Sequence, residues 1–314
     1  MIPTEKIFSP AVALHASHAH GPGEAITDIL LHTARETLTV ALFMFLTYLL
    51  MESIEHRSAG ATGRLISRAG KAGPAIGGLL GIIPQCGFSA AASGLYAGRL
   101  ISRGTLLAVF LSTSDEMLPM MLSGMASGKA GAPALLTLLA VKLIGAIAVG
   151  FAVDLLIPAR GHEGDIEDFC EVEGCNCEKD GILISALKHT AKITIFVLIA
   201  TLTLNTAVHF IGEENIAAAL GGIPVLGELI AALIGLIPNC AASVVLTELY
   251  VGGAIGAGQL LAGLFTGAGI GLLVLFRTNR RMRDNLTVLA LLLACGFTLG
   301  TVAQYSGLTA LLGL

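Results

Sequence analysis

The chain has 314 residues, of which 13% are charged and 54% hydrophobic, with a formal net charge of −4. Ordinary globular domains carry about a quarter charged residues, and a mean hydropathy of +0.83 places this chain in a bilayer. No basic patch stands clear of the membrane flanks, so nucleic acid is excluded as a partner.

Residues 1–25 contain His15, His18 and His20 but no basic region followed by an apolar core and a cleavage site. They read as a tail rather than a signal peptide, and the three histidines are capable of binding a metal outside the cell. Six apolar runs then come near or exceed the ~20 residues that cross a bilayer as helix. They are Ile26 to Met51, Thr105 to Met125, Ala132 to Ile157, Ile182 to Phe210, Leu260 to Phe276 and Leu286 to Leu312. Two further apolar stretches, Pro74 to Gly98 and Glu228 to Gly252, are each cut by a proline.

Those two stretches are copies of one another. "GIIPQCGFSAAASGLYAGRLISRGTLLAVFLS" from Gly81 aligns without a gap on "GLIPNCAASVVLTELYVGGAIGAGQLLAGLFT" from Gly235, at an offset of 240 − 86 = 154. Thirteen of the 32 positions are identical, including the pairs Pro84 and Pro238, Cys86 and Cys240, and Ser89 and Ser243. Such self-similarity at fixed spacing marks an internal repeat. The offset carries the first run onto Ile182 to Phe210 and the fourth apolar segment onto Leu286 to Leu312.

Loop charge orients the copies. Arg57, Arg64, Arg68, Lys71, Arg99 and Arg103 lie in first-half loops whose second-half counterparts hold no Lys or Arg. Conversely, Arg277, Arg280, Arg281 and Arg283 face a first-half loop with Lys129 alone. By the positive-inside rule the halves are oppositely oriented. The expected fold is an all-α polytopic membrane protein of two inverted repeats, each of about five helical elements with a Pro-broken helix pair. That pair is either a re-entrant hairpin or two short tilted spans. The expected organisation is tail 1–25, first repeat 26–157, acidic cytoplasmic loop 158–181 and second repeat 182–314, with both termini outside.

Interrupted backbone at membrane depth is tolerated where protein buries it or a cavity solvates it. Inverted repeats with broken helices mark secondary transporters that bind substrate at the repeat interface. Pro84 and Pro238 are therefore expected to free carbonyls there. Gln85 and Asn239 add amides, Cys86 and Cys240 soft sulfur ligands, and Ser89 and Ser243 hydroxyls. The next element, "LSTSDEMLP", adds Ser112, Thr113 and Ser114 together with Asp115 and Glu116, and its counterpart "FTGAGIGLL" keeps Thr266. Ionisable groups inside a span are functional by default, so Asp115, Glu116, Glu248 and Lys142 are candidates for ion coupling, with Lys142 placed to neutralise an acid. Glu228, Asp154, Lys188, His189 and Lys192 lie nearer segment ends and read as interfacial anchors. Cys86 and Cys240 favour soft cations or trivalent arsenicals, whereas Asp115 and Glu116 suit a harder ion such as Mn(II).

The central loop "GHEGDIEDFCEVEGCNCEKD" holds His162, Cys170, Cys175, Cys177 and eight acidic residues. It fits either an accessory metal-collecting segment or a solvated acidic linker, and its cysteine spacing matches no zinc ribbon. No GxxxxGK[ST] segment offers ATP, so transport is expected to run on an ion or substrate gradient. Without a His-Glu zinc motif, CxxC or haem site, an enzyme is disfavoured and no cofactor is expected. A channel using the broken helices as a filter is the main alternative. Small-residue stretches such as "GGAIGAG" permit helix packing within or between chains, including a homo-oligomer.

The stretch "GIIPQCGFSAAASGLYAGRLISRGTLLAVFLSTSDEMLP" resembles the signature of a bacterial family of ten-helix heavy-metal exporters, related to arsenical permeases and variously labelled arsenic efflux proteins or manganese transporters. The similarity is strong over residues 74–125, clear over Gly235 to Phe276, and extends in length and repeat layout along the chain. It implies export of a metal or metalloid across the inner membrane. It also implies that Cys86 and Cys240 take trivalent arsenic, as membrane cysteines do in the arsenical permeases. The resemblance supports an exporter more firmly than any named ion.

Overall fold

Prolines and small polar residues set the helix starts. Pro74 and Pro133 occupy first-turn positions, where a missing N–H costs no hydrogen bond. Ser102 caps the helix at 103, its Oγ accepting from Thr105 N at 3.0 Å. The computed structural model describes residues 72–83, 86–114, 117–126, 131–157 and 225–306, with scattered helical positions between 34 and 49 and between 183 and 203.

The helices are α1 (Gly73–Gly81), α2 (Cys86–Ala97), α3 (Arg103–Ser112), α4 (Met117–Ala126), α5 (Ala132–Leu156), α6 (Leu226–Gly235), α7 (Cys240–Val251), α8 (Ala257–Thr266), α9 (Ile270–Thr278) and α10 (Met282–Tyr305). Among the described residues there is no strand. Three helical stretches there are long and apolar enough to cross a membrane: α5, α8 with α9, and α10.

A helix that is apolar on every side belongs in an interior. Both α3 and α8 are of this kind and are buried along nearly their whole length. Leu106, Leu107, Phe110 and Leu111 of α3 and Leu260, Leu264 and Phe265 of α8 form the core. The α8–α9 stretch is 78% buried, whereas α5 and α10 are each 28% buried, so α5 and α10 form the outer layer. Leu136, Ile144 and Leu155 of α5 point outward, as lipid-facing side chains do.

Lipid supplies no hydrophobic drive for helix association, so close packing of small residues must. A Cβ on Gly81 would fall on Ser112 Oγ and 2.6 Å from Val109 O, and one on Gly235 would fall on Thr266 Oγ1 and Gly263 O. Gly81 and Gly235, Ser112 and Thr266, and Val109 and Gly263 are each 154 positions apart. The crossings of α1 with α3 and of α6 with α8 therefore use corresponding residues.

Helix bounds recur at the same spacing. For α2 and α7 the differences are 240 − 86 = 154 and 251 − 97 = 154, and for α3 and α8 they are 257 − 103 = 154 and 266 − 112 = 154. The outer helices depart from it, since α10 begins 282 − 132 = 150 positions after α5. Gly104 N donates to Asp154 Oδ1 at 2.8 Å and Gly258 N to Gln304 Oε1 at 3.0 Å, a pairing with 304 − 154 = 150. The fourth apolar segment of the first half thus corresponds to residues from 282 onward rather than to Leu286 to Leu312. One helical turn is missing from the second connection.

The runs Thr105 to Met125 and Leu260 to Phe276, expected as continuous spans, are both interrupted. In the first, α3 ends at Ser112 because the hydroxyls that follow bond back to the backbone: Ser112 Oγ to Val109 O at 3.0 Å, Thr113 Oγ1 to Val109 O at 2.7 Å and Ser114 Oγ to Ser112 O at 3.0 Å. In the second, α8 ends at Thr266 and α9 starts at Ile270. Gly269 between them has φ +53°, a left-handed conformation that glycine adopts without a Cβ penalty.

Candidate functional site

The helix interruptions meet. Between α6 and α7 the chain leaves the helix at Leu236 and re-enters it at Cys240, with Pro238 partly buried and Asn239 3% exposed. A proline there lacks the N–H that a continuing helix needs. Asn239 and Ser243 line a small cavity together with Gly235, Gly263, Leu264, Gly267, Gly269 and Thr113. Thr113 comes from the interruption after α3, and the glycines come from both ends of the interruption after α8. Three interruptions, drawn from both halves of the chain, thus share one cavity of about 10 Å³, space for about one water-sized species.

Hydroxyls fix its walls. Thr266 is fully buried and its Oγ1 donates to Ala232 O at 2.7 Å, tying the end of α8 to α6, and it lies 2.9 Å from Gly263 O. Ser112, Thr113 and Ser114 are all buried at the end of α3. Ser89, also fully buried, lies where α2 crosses α9: a Cβ on Gly271 would come within 2.7 Å of Ser89 Cβ. Ser93, one turn further along α2, donates to Gly271 O at 2.7 Å and lies 2.9 Å from Ser89 O. Its counterpart Thr247 donates to Ser243 O at 2.7 Å on α7. Sequence reasoning passed over Ser93 and Thr247, although the repeat alignment pairs them as two hydroxyls 154 positions apart.

Lys142 is completely buried on α5. Its Nζ donates to Leu264 O at 2.5 Å and sits 5.4 Å from the centroid of the Phe265 ring. A cation at the C-terminal end of a half-helix meets the negative end of its dipole, and the aromatic face adds to the attraction. Leu264 also lines the cavity, so Lys142 holds the outer side of a cavity wall.

Two residues expected as interfacial anchors have other roles. Asp154 accepts from Gly104 N and, at 2.6 Å, from Ser102 Oγ, so it fastens α5 to the start of α3. Glu228 is 3% exposed on the inner face of α6, and its Oε2 has no hydrogen-bond partner. Its place at the first residue of an apolar run disguised it as a boundary residue. Glu248 is partly buried on α7.

Cys86 and Cys240 are the first residues of α2 and α7. Their thiols lie outside the described residues, as do Pro84, Gln85, Asp115, Glu116, Lys192, the histidine tail, His189 and the loop residues His162, Cys170, Cys175 and Cys177. Among the described residues no group of three or more His, Cys, Asp or Glu side chains is placed to hold a metal.

Apolar helices, a buried core of interrupted helices and a polar cavity at their junction define a multi-pass membrane protein. Residues 134–273, a little under half of the chain, match the family model described as "Putative, 10TM heavy-metal exporter" (ArsP_2). Over that segment, which runs from α5 through the start of α9, the protein is one of this exporter family. The match does not reach residues 74–125, where the signature was expected to be strongest. Neither a curated protein nor a solved structure matches the chain.

Proposed function

We propose that this protein is a secondary-active exporter of a heavy metal or metalloid, binding its substrate between the paired helix interruptions and moving it by displacement of one inverted repeat against the other. The observation that carries this reading is the cavity that Thr113, Asn239, Ser243 and the glycines at 267 and 269 line together. In transporters of inverted-repeat design, half-helix ends and unwound backbone at the repeat interface replace part of the substrate's hydration shell. Here Asn239 contributes an amide, Ser243 and Thr113 hydroxyls, and residues 235, 263 and 267 backbone carbonyls. Cys86 and Cys240, at the starts of α2 and α7, supply the thiols that a trivalent arsenical requires, whereas Asp115 and Glu116 supply the carboxylates that suit Mn(II).

Export is coupled to protons. A carboxylate among the interruptions, Asp115 or Glu116, releases a proton as cation binds and regains it after release. Glu228 and Glu248 are further carboxylates on α6 and α7 available for that exchange, and Lys142 fixes the charge behind the cavity wall. The membrane is the bacterial inner membrane, with both termini outside. The test is uptake of trivalent arsenicals and of Mn(II) into inside-out vesicles, measured by elemental analysis. Arsenical uptake lost in Cys86→Ser/Cys240→Ser supports a thiol site. Mn(II) uptake that survives that change and fails in Asp115→Asn supports a carboxylate site, and uptake of neither ion refutes the exporter.

A further inference from the structure

At one end of the molecule a polar cluster joins the two halves of the chain. Helices α2 and α9 run side by side, from Ser89 beside Gly271 to Tyr96 beside the segment that follows α9. At that end Arg103 Nη2, at the start of α3, pairs with Asp284 Oδ1 on α10 at 2.6 Å. Tyr96 OH donates to Asp284 Oδ2 at 2.7 Å, and Asn279 Nδ2 donates to the same oxygen at 3.1 Å. Arg103 Nε reaches back to Tyr96 OH at 3.4 Å, and Asn279 is held by Asn285 through bonds of 2.7 and 2.8 Å. One carboxylate therefore gathers donors from α2, α3 and the α9–α10 connection. The ion pair is sheltered, with 24% and 20% side-chain exposure, so water and salt weaken it less than a surface pair.

The corresponding place at the other end has no such cluster. Tyr250 answers to Tyr96, but Arg103 is replaced by Ala257, Asn279 by Met125 and Asp284, at the outer-helix offset of 150, by Ala134. Tyr250 packs among apolar side chains. Two copies of one unit would give the two ends equal strength, and these substitutions make them unequal. The strong end also carries Arg99, Arg277, Arg280, Arg281 and Arg283, which by the positive-inside rule mark the cytoplasmic side.

We infer that Tyr96, Arg103, Asn279 and Asp284 form a one-sided latch that holds the α2–α9 contact shut on the cytoplasmic side and must open for the cavity to load. This inference rests on the transporter reading above. A latch that biases one of two states shifts their populations by its own differential free energy, and a charge-assisted hydrogen bond of ordinary strength is enough for about a tenfold shift. Closing the loading side at rest prevents leakage in the direction opposed to export. The weaker opposite end lets bound substrate leave.

The test uses full-length protein carrying Ser243→Cys as a reporter in the cavity, in inside-out and right-side-out vesicles. A membrane-impermeant maleimide is added, and modification at position 243 is followed by peptide mass spectrometry. Asp284→Asn and Arg103→Gln should each speed modification about tenfold in inside-out vesicles and leave the right-side-out rate unchanged or lower. Arg103→Lys, which keeps an ion pair, should stay near the parent rate. Tyr96→Phe, which removes one hydrogen bond and disturbs folding least, should give a smaller increase of about threefold. Unchanged rates in all variants, or equal acceleration from both faces, would overturn the latch. Face-specific acceleration in a protein that takes up neither arsenical nor Mn(II) would retain the latch and remove the exporter. Normal ion uptake with unchanged labelling would do the reverse.

Discussion

Adding one methyl group at Gly235 tests the packing that positions the cavity. A Cβ at this position would lie 2.8 Å from the Gly263 carbonyl carbon and would fall on both Gly263 O and Thr266 Oγ1, whereas ordinary contact begins at 3.4 Å. Two of these obstacles are backbone, so no rotamer change relieves them and α6 must retreat from α8. Retreat also stretches the bond from Thr266 Oγ1 to Ala232 O. Overpacking of this kind costs about 1–3 kcal/mol, and the lost hydrogen bond about 1 kcal/mol more. Gly235→Ala should therefore lower the thermal midpoint of the purified protein by several degrees, followed by circular dichroism at a fixed scan rate because membrane proteins unfold irreversibly. Gly267→Ala, whose added Cβ meets nothing closer than 3.4 Å, should unfold near the wild-type temperature. Thr266→Ala should not rescue Gly235→Ala. Equal midpoints for the two glycine variants, or rescue by Thr266→Ala, would refute the close crossing.

Ser93→Ala removes the bond to Gly271 O between α2 and α9 and should cost about 1 kcal/mol, read as a lower midpoint. Arg99→Gly should stabilise by roughly 1 kcal/mol, because Arg99 sits at φ +56° at the helix-ending position that Gly253, 154 residues later, occupies at φ +74°. An unchanged or lower midpoint would show that its side chain contributes more than the backbone strain costs. Glu228→Gln removes an unsatisfied buried carboxylate, so the midpoint should hold or rise while uptake driven by an imposed pH gradient falls. A lower midpoint with unchanged uptake would make Glu228 purely structural.

The helix starts at Cys86 and Cys240 were legible because proline and an amide precede each within an apolar run, and because the repeat displays the pattern twice. The interruptions after Ser112 and Thr266 were not. Ser112, Thr113 and Ser114 disturb hydropathy too little to break a run, and their effect depends on side chains turning back onto Val109 and Ser112 carbonyls. Gly267 and Gly269 read as small residues fit for packing, and the left-handed backbone of Gly269 leaves no mark in composition. The repeat offset failed for α10 because hydropathy is smooth along a long apolar helix. It was the pairing of Gly104 with Asp154 and of Gly258 with Gln304 that fixed the register. Arg103 and Asp284 are 181 positions apart, and nothing local in the sequence joins them.

The central claim, that substrate sits where the interruptions meet, is tested most directly at Asn239, whose buried amide lines the cavity. Arsenical and Mn(II) uptake into inside-out vesicles should be saturable in the wild-type protein. In an Asn239→Ala variant of normal abundance and thermal midpoint, uptake of the transported ion should fall at least about tenfold, as expected when a buried site loses a polar ligand. Saturable uptake that is unchanged in Asn239→Ala would contradict the claim and move the binding site away from this cavity.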